Sequence, residues 1–433
     1  MKNSEADIQK QHSLQEQSSR RRWYKIAALL IFLFILWILS YNFFQSDRVK
    51  ISSDYIIRAE AARDLNKNVD DLTDKDLQSI TKFTLVDRTQ KGYYIYGLRL
   101  SDIKLLKKFS NLRELDLSYV RPVQGNIPVW KKFAAKLHVM TIPKTPLLDL
   151  TPLRGLTNLE ILDLSHTSVC NLEAIKDLIN LCKIQLLYSN VSDLEPLRGL
   201  TNLEELSFFG TNISNIEPLK DLKNLHRLDL PCKNVLDFEA LGELTGLERL
   251  LLEGSNISNL EPLRNLKNLR SLDLNRTKIG NLEPLRGLSK LEILGFCETN
   301  ISNIEPIKDL KNLRRLYFKD TPVDSLEPLR GLTSLEELQF HFVKDPNLEP
   351  LKNLNRLERL SFSITDSIDF EPLKELKNLR QLYFLQPYGT NAQQDINRLK
   401  TISLKKAEIL DLQHALPELE IDENIYDTSM MFY

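Results

Sequence analysis

Between residues 137 and 400 the apolar side chains fall on one frame, L-x-x-L-x-L, that returns at a fixed step of twenty-two residues. Its first leucine is Leu137, Leu159, Leu181, Leu203, Leu225, Leu247, Leu269, Leu291, Leu313, Leu335, Leu357 and Leu379 in turn. Two units show the template: LEELSFFGTNISNIEPLKDLKN from Leu203 and LRSLDLNRTKIGNLEPLRGLSK from Leu269. Apolar residues alternating with polar ones inside the frame are the signature of a short strand with one buried side. A unit this small cannot bury its own apolar face, so the copies must stack, and the repeat is read before any local element. Equal positions of successive units then pair in parallel at roughly 4.8 Å.

The rest of the unit supplies the return path. A hydroxyl stands at the ninth position in Thr167, Ser189, Thr211, Ser255, Thr277, Thr299, Thr321 and Thr365; it can bond a turn's backbone, though more weakly than asparagine. Pro196, Pro218, Pro262, Pro284, Pro306, Pro328, Pro350 and Pro372 each follow a glutamate and precede Leu or Ile. Proline is preorganised for the first position of a helical turn and the carboxylate suits that turn's positive end, so short helical turns are expected opposite the strands.

The frame and its I-x-x-L-x-P-L-x-x-L continuation resemble the leucine-rich repeat family, most closely the bacterial, internalin-type subclass with 22-residue units, over residues 70 to 404 or so. Many relatives carry Asn at the ninth position, from which this chain departs. The resemblance implies an α/β solenoid with a curved parallel β-sheet on the concave face and short helical turns on the convex face. It also implies adhesion or partner binding as the family's usual work.

Ahead of the array, residues 1–25 are polar and rich in Gln, Ser and Lys, the composition of a disordered tail. Residues 26–44, IAALLIFLFILWILSYNFF, carry no charge. As a helix they span about 28 Å, close to the roughly 30 Å of bilayer hydrocarbon. Trp23 and Tyr24 at one end and Trp37 and Tyr41 towards the other fit interfacial anchoring. A cleaved signal peptide would have a shorter apolar core and a small-x-small site, neither of which is evident. Arg20, Arg21, Arg22 and Lys25 outweigh Arg48 and Lys50, so the expectation is one N-terminal transmembrane helix, an uncleaved signal anchor with the amino terminus cytoplasmic. The repeats then lie outside the cytoplasmic membrane, in a bacterial cell envelope.

Residues 45–70 read as a juxtamembrane stalk with a helical pattern from Ile56 to Leu65, and residues 71–136 as an N-terminal cap with irregular first repeats. Within the latter, LTDKDLQSITKFTL from Leu72 resembles the entry segment of bacterial arrays: a short helix over the open core, then a degenerate strand at Ile80, Phe83 and Leu85. A frame at Leu112 precedes the one at Leu137, and the extra residues 87–96 and 119–130 are expected to loop out. Residues 137–400 are the regular repeats. Residues 401–433 read as a last partial repeat, placed on Leu399, Ile402 and Leu404, a closing cap over 407–419, and a tail, EIDENIYDTSMMFY, with no clear structure.

Composition narrows the function classes. The 433 residues are 42% hydrophobic and 27% charged with a formal net charge of -1, so no global field points to nucleic acid. By length alone about three domains would be expected, but a solenoid grows as one unit. His12, His138, His166, His226, His341 and His414 show no metal-ligand spacing, and no nucleophile elbow, P-loop or dinucleotide fingerprint is present. The expectation is a non-enzyme with no cofactor and no metal. Cys170, Cys182, Cys232 and Cys297 occupy four different positions of the repeat, which argues against a disulfide framework.

In a stacked array each repeat position becomes a line across the sheet. The second position reads Glu248, Arg270, Glu292, Arg314, Glu336, Glu358, Arg380, an alternation expected to be a structural ion-pair ladder. Among outward positions, Leu187, Tyr188 and Phe209 gather on adjacent units, and Arg315, Tyr317, Lys319, His341, Phe342 and Tyr383 on later ones. Aromatic residues with Arg are the composition of interface anchors, so both groups are candidates for binding a protein partner on the concave face. A carbohydrate or cell-wall polymer stacking on Tyr317 and Tyr383 is the second reading. The third is a cytoplasm-facing regulatory scaffold similar to phosphatase-regulating leucine-rich repeat proteins. Oligomeric state is not legible.

Overall fold

The frame's fourth residue sits at the centre of a three- or four-residue strand and is buried in every coil from Leu162 to Leu382. The computed structural model describes residues 53–84, 106–117, 149–341, 343, 347–385 and 401–422. Among them the strands are β1 (Lys82–Thr84), β2 (Glu114–Asp116), β3 (Ile161–Asp163), β4 (Lys183–Gln185), β5 (Glu205–Ser207), β6 (Arg227–Asp229) and β7 (Arg249–Leu251). They continue as β8 (Ser271–Asp273), β9 (Ile293–Gly295), β10 (Arg315–Phe318), β11 (Glu337–Phe340), β12 (Arg359–Phe362), β13 (Gln381–Phe384) and β14 (Glu420–Asp422). The fourteen form one parallel sheet in chain order. Equal positions pair, as in Lys183↔Glu205, Ile184↔Leu206 and Gln185↔Ser207, so the columns read from the sequence are real lines across the sheet.

Two departures occur at the ends. β2 pairs directly with β3, the sheet passing from the Leu112 frame to the Leu159 frame; the Leu137 frame and the expected loops at 87–96 and 119–130 lie outside the described residues. The helix expected in a stalk is instead packed: α1 (Ser53–Asp64) buries Ile57, Ala61 and Ala62 in the same core as the leucines. The first coil would otherwise expose its apolar face, and this helix covers it. Next come a 3-10 turn at Val69–Asp71 and α2 (Asp74–Ser79), which starts in a capping box between Thr73 and Asp76. Leu77, Ile80 and Phe83 join the core, as the entry segment implied.

At the far end, residues 401–404 are helical rather than a shortened strand. α3 (Lys406–Ala415) buries Ile409 and Leu412 as the expected closing cap. The start of the tail is not structureless: Glu420–Asp422 is β14, where Ile421 continues the buried fourth-position column beside Leu382 and satisfies the open edge of β13. The expected tail at 1–25 and anchor at 26–44 lie outside the described residues. Among the described residues no helix is long and apolar enough to cross a membrane.

Opposite the strands, the Glu-Pro-Leu triplets form 3-10 turns such as Glu195–Leu197, Glu217–Leu219 and Glu261–Leu263, with Pro in the first turn. An Asn or Asp two residues earlier, or Ser325 before Glu327, launches each: Asn215 Oδ1 accepts the Glu217 N–H at 2.9 Å, and Asn281 that of Glu283 at 2.9 Å. The glutamate then pairs with Arg or Lys three residues on, as in Glu283–Arg286 at 2.8 Å, an exposed contact that contributes little by itself.

Thr167 and Thr277 at the ninth position are buried clasps: Thr167 donates to Leu164 O at 2.6 Å and Thr277 to Leu274 O at 2.6 Å. Ser189 and Ser255 Oγ find no partner, and they lack the methyl group that restricts the rotamer. A second clasp joins coils wherever Asn stands before the frame: Asn202 Nδ2 donates to Ile179 O at 2.9 Å and Asn268 to Thr245 O at 3.0 Å.

Inside, the sixth position changes from mostly leucine to phenylalanine along the chain. Phe296, Phe318, Phe340 and Phe362 stack nearly parallel at centroid distances of 5.5, 5.6 and 5.5 Å, and Phe384 meets Phe362 edge-on at 5.8 Å. Phe318→Ala removes the second ring of this spine and is expected to cost about 3–5 kcal/mol, whereas Leu404→Ala, at a side chain left in solvent, costs within about 0.5 kcal/mol. Urea unfolding followed by circular dichroism checks both.

Candidate binding surface

The third and fifth positions of each strand face away from the leucine core. After the sixth position the strand ends, and the eighth residue takes a left-handed backbone: φ is 57° at His166, 54° at Tyr188, 56° at Arg276, 54° at Glu298 and 50° at Asp320, with glycine at Gly210 (73°) and Gly254 (66°). Alternation therefore cannot be carried past the sixth position. Gly210 and Gly254 in one column were the sequence signal for this turn.

That turn sorts the two candidate clusters. The first is assembled. Tyr188 is 51% exposed and its ring centroid lies 5.0 Å from that of Phe209, edge to face, with both residues on neighbouring coils and Leu187 half-buried beside them. His166, overlooked as a surface residue, stacks on Tyr188 at 4.9 Å. Backbone bonds lock the coils together here, with His166 N–H to Leu187 O and Tyr188 N–H to Phe209 O both at 2.6 Å. A Cβ on Gly210 would stand 2.5 Å from the Tyr188 ring, so the ring lies directly over that glycine. Tyr188 is thus covered by His166 and Gly210 and offers its edge.

The second cluster is corrected by the structure. Tyr317 is 4%, Lys319 6% and His341 0% exposed, so none of the three is a surface anchor. Lys319 and His341, at the seventh position of their coils, are drawn inward, whereas Leu187 and Phe209 at the same position stay half-buried. The Tyr317 hydroxyl donates to Glu337, which also holds Arg359 at 2.5 Å, and burial followed by that carboxylate pushes the phenol upward. His341 Nδ1 lies 3.1 Å from Asp320, whose carboxyl it holds below the usual range. Arg315 is exposed and Tyr383 half-buried, while Phe342 lies outside the described residues.

Ion pairs cross the sheet face in two columns. In the second-position ladder Arg314 holds Glu336 through two bonds of 2.9 Å, Arg270 pairs with Glu292, and Arg380 turns instead to Glu418 at 3.1 Å on the closing cap. The third position adds Lys82–Glu114 at 2.5 Å and Lys183–Glu205 at 2.8 Å. Mid-sheet, Asp273 is buried with Oδ1 accepting the Asn275 N–H at 2.9 Å, and burial raises its carboxyl to about 7. Burial, then Arg227 on the adjacent strand, lower Arg249. All four cysteines are free thiols. Among the described residues no group of His, Cys, Asp and Glu is arranged to hold a metal.

With the geometry in place, residues 201–243 and 245–287 match the family profile described as "Leucine Rich repeats (2 copies)". The array has the leucine-rich repeat fold. An internalin from Listeria monocytogenes, InlF, superposes with a TM-score of 0.58 at 22% identity, covering 76% of this chain and 94% of that one. The functional domain of InlJ from Listeria monocytogenes matches at 0.54 and 16%, covering 75% and 63%. TLR13 in complex with ssRNA13 matches at 0.51 and 21%, covering 73% and 48%. At these identities the likeness concerns the fold alone. InlJ is described with a cysteine ladder, whereas the cysteines of this chain fall in four different columns. No curated protein sequence matches significantly. Leucine-rich repeat proteins in general mediate protein–protein interaction.

Gly210→Ala places a Cβ against the Tyr188 ring at a left-handed position. The expected result is loss of the His166–Tyr188 stack, seen as a changed near-ultraviolet circular dichroism, with a stability loss of roughly 1–2 kcal/mol. Asp273 gives a pH signature. Its folded carboxyl titrates at about 7 against an ordinary aspartate value of 3.8, so the folded state retains a proton that the unfolded state releases. Stability therefore falls as pH rises from about 4 to 7 and levels above, and Asp273→Asn, which keeps the acceptor for Asn275, should flatten that slope and gain up to about 4 kcal/mol at pH 8.

Proposed function

We propose that this chain recognises a protein partner through the sheet face of its leucine-rich repeats, the concave side of the solenoid, with Leu187, Tyr188 and Phe209, braced by His166, as the anchor. The observation that carries this reading is the half-exposed tyrosine held edge-on. A rigid aromatic with a polar tip loses little freedom on binding and is the kind of residue that dominates interfaces. Its neighbours on the rim are apolar, and the coil-to-coil backbone bonds hold them in place before any partner arrives.

Sugar stacking is disfavoured by the same geometry. A pyranose ring needs an open aromatic face, but Tyr188 is covered by His166 and Gly210, and Tyr317 is buried. Tyr383 is only half-exposed.

The second part of the proposal concerns place. Residues 26–44 anchor the chain as a single membrane pass, with the amino terminus cytoplasmic and the repeats extracytoplasmic. What supports it is the uncharged nineteen-residue stretch behind Arg20, Arg21, Arg22 and Lys25. A tether of this kind raises the effective concentration towards a partner in the same envelope.

Protease added to intact cells or spheroplasts should remove an epitope at the carboxyl terminus while the membrane stays sealed; survival until permeabilisation would turn the reading to a cytoplasm-facing scaffold. In intact cells treated with a reversible cross-linker, Tyr188→Ala combined with Phe209→Ala should lower recovery of the cross-linked partner at least tenfold, about 1.4 kcal/mol, at an unchanged unfolding midpoint. Undiminished recovery would remove the rim as the anchor.

A further inference from the structure

The asparagine clasps that join the coils lapse in one region. In the described coils that carry the leucine frame, the residue before it is Asn in eight and departs from Asn at Gly246, Lys290, Ser334 and Arg356. Each of the eight amides donates to a carbonyl of the preceding coil, from Asn111 to Gln78 O at 2.9 Å through to Asn378 to Asn355 O at 2.6 Å. Gly246 has a steric reason to depart, since a Cβ there would stand 2.7 Å from Lys223 O. The other three fall on the coils beginning at Leu291, Leu335 and Leu357, three of four successive coils, and each gives up the clasp. Its loss in one place points to a task other than holding the coils together.

A charged hollow takes its place. Lys290, Asn312, Ser334 and Arg356 line it from the column before the frame. Arg270, Glu292, Arg314 and Glu336 line it from the second-position ladder, and it is open to solvent with a volume of about 420 Å³. The ladder carboxylates are engaged: Arg314 holds Glu336 through two bonds of 2.9 Å, and Arg270 pairs with Glu292. Four cations against two carboxylates leave the lining with a net charge of +2, which belongs to Lys290 and Arg356. Lys290 Nζ donates to a neutral amide, Asn268 Oδ1, at 2.8 Å, and both residues are exposed without an ion pair among the described residues. Glu358, on the Arg356 coil, is outside the lining.

Spacing defines the occupant. Lys290 and Arg356 stand three coils apart, about 14 Å at roughly 4.8 Å per coil, with Asn312 and Ser334 on the two coils between them. Residues four positions apart in an extended segment project to the same side about 13 Å apart, at roughly 3.3 Å per residue. We infer that this hollow takes an extended acidic segment of a protein, laid across the coils, with Asp or Glu side chains four positions apart on Lys290 and Arg356. The side chain midway between them is polar and meets Asn312 and Ser334. A polymer with a phosphate or sulfate on every unit fits worse, because it brings further anions into the same lining as Glu292 and Glu336. Exposed ion pairs of this kind contribute little each and are screened by salt, so binding here is modest and salt-dependent. The hollow lies on later coils than the aromatic rim, where the chain enters the strands rather than where it leaves them, and does not rest on it.

The test restores the clasp. In Lys290→Asn combined with Arg356→Asn, each position receives the residue that the column otherwise carries, so both charges go while the coil contact is kept. A phage-displayed library of random eight-residue peptides is depleted on this double variant and then selected on the purified full chain in detergent. The expected winners carry Asp or Glu four positions apart. Their binding should fall about tenfold on the double variant and fall with added salt, while the double variant's unfolding midpoint is unchanged or higher. No winners, winners without that acidic pair, or winners that bind the double variant as well as wild type overturn the inference. So does a lowered midpoint, which makes the two residues structural. Binding of inorganic polyphosphate to wild type and not to the double variant, with no peptide winners, assigns the hollow to a phosphate polymer and overturns it too. Neither substitution touches the rim, so each of these failures leaves that reading standing.

Discussion

No coil of this protein can bury its own leucines, and that constraint shapes everything else. Each coil offers a strand of three or four residues and one row of apolar side chains, and only the next coil's identical row covers it. In-register parallel pairing follows, because any slip would bring a leucine column against a polar one. Repetition then turns every position into a line: leucines and phenylalanines inside, threonine and asparagine clasps at the turns, Glu-Pro-Leu helical turns opposite the sheet. The two ends break the rule and need caps, and α1 and α3 meet that need with Ile57, Ala61, Ile409 and Leu412.

Because the lines are structural, function has to be sought in deviations from them. Most charges on the sheet face are absorbed in cross-strand pairs, which hold the coils in register and leave little for a ligand. The exceptions lie on the early strands. There the seventh and eighth positions, apolar or aromatic rather than charged, are Leu187, Tyr188 and Phe209. Recognition by such a surface needs no rearrangement, since backbone bonds from coil to coil already hold the rim.

How much of this could be read in the sequence depended on whether a residue's fate is decided by the period or by a turn. The period-two strand and the leucine frame were legible because twelve copies repeat the same local chemistry, and the proline-led turns because eight do. Tyr317, Lys319 and His341 were misread as outward residues. For Lys319 and His341 alternation was extended past the end of the strand; after Lys319 the left-handed Asp320 redirects the chain. For Tyr317 the strand orientation was right, but crowding with Glu337 and Arg359 buries it. The asparagine clasps were present in plain view at Asn180, Asn202, Asn224 and Asn268, yet a carbonyl acceptor leaves no sequence trace. His166 was weighed only as a metal ligand, and its role as a brace emerges once Tyr188 is seen to lie on it. The stalk helix was a matter of partner: its Ile57 and Ala61 stripe signals burial, but the open first coil that it covers is known only from the fold.

The central claim is that the rim on β3–β5 is where a partner touches this molecule. A photo-reactive benzoylphenylalanine placed at Tyr188, and in a separate chain at Lys220 on the opposite face, measures that contact directly in intact cells. One discrete adduct from position 188 and none from position 220 is the result the account predicts. Equal adducts from both positions, or an adduct from position 220 alone, would contradict it.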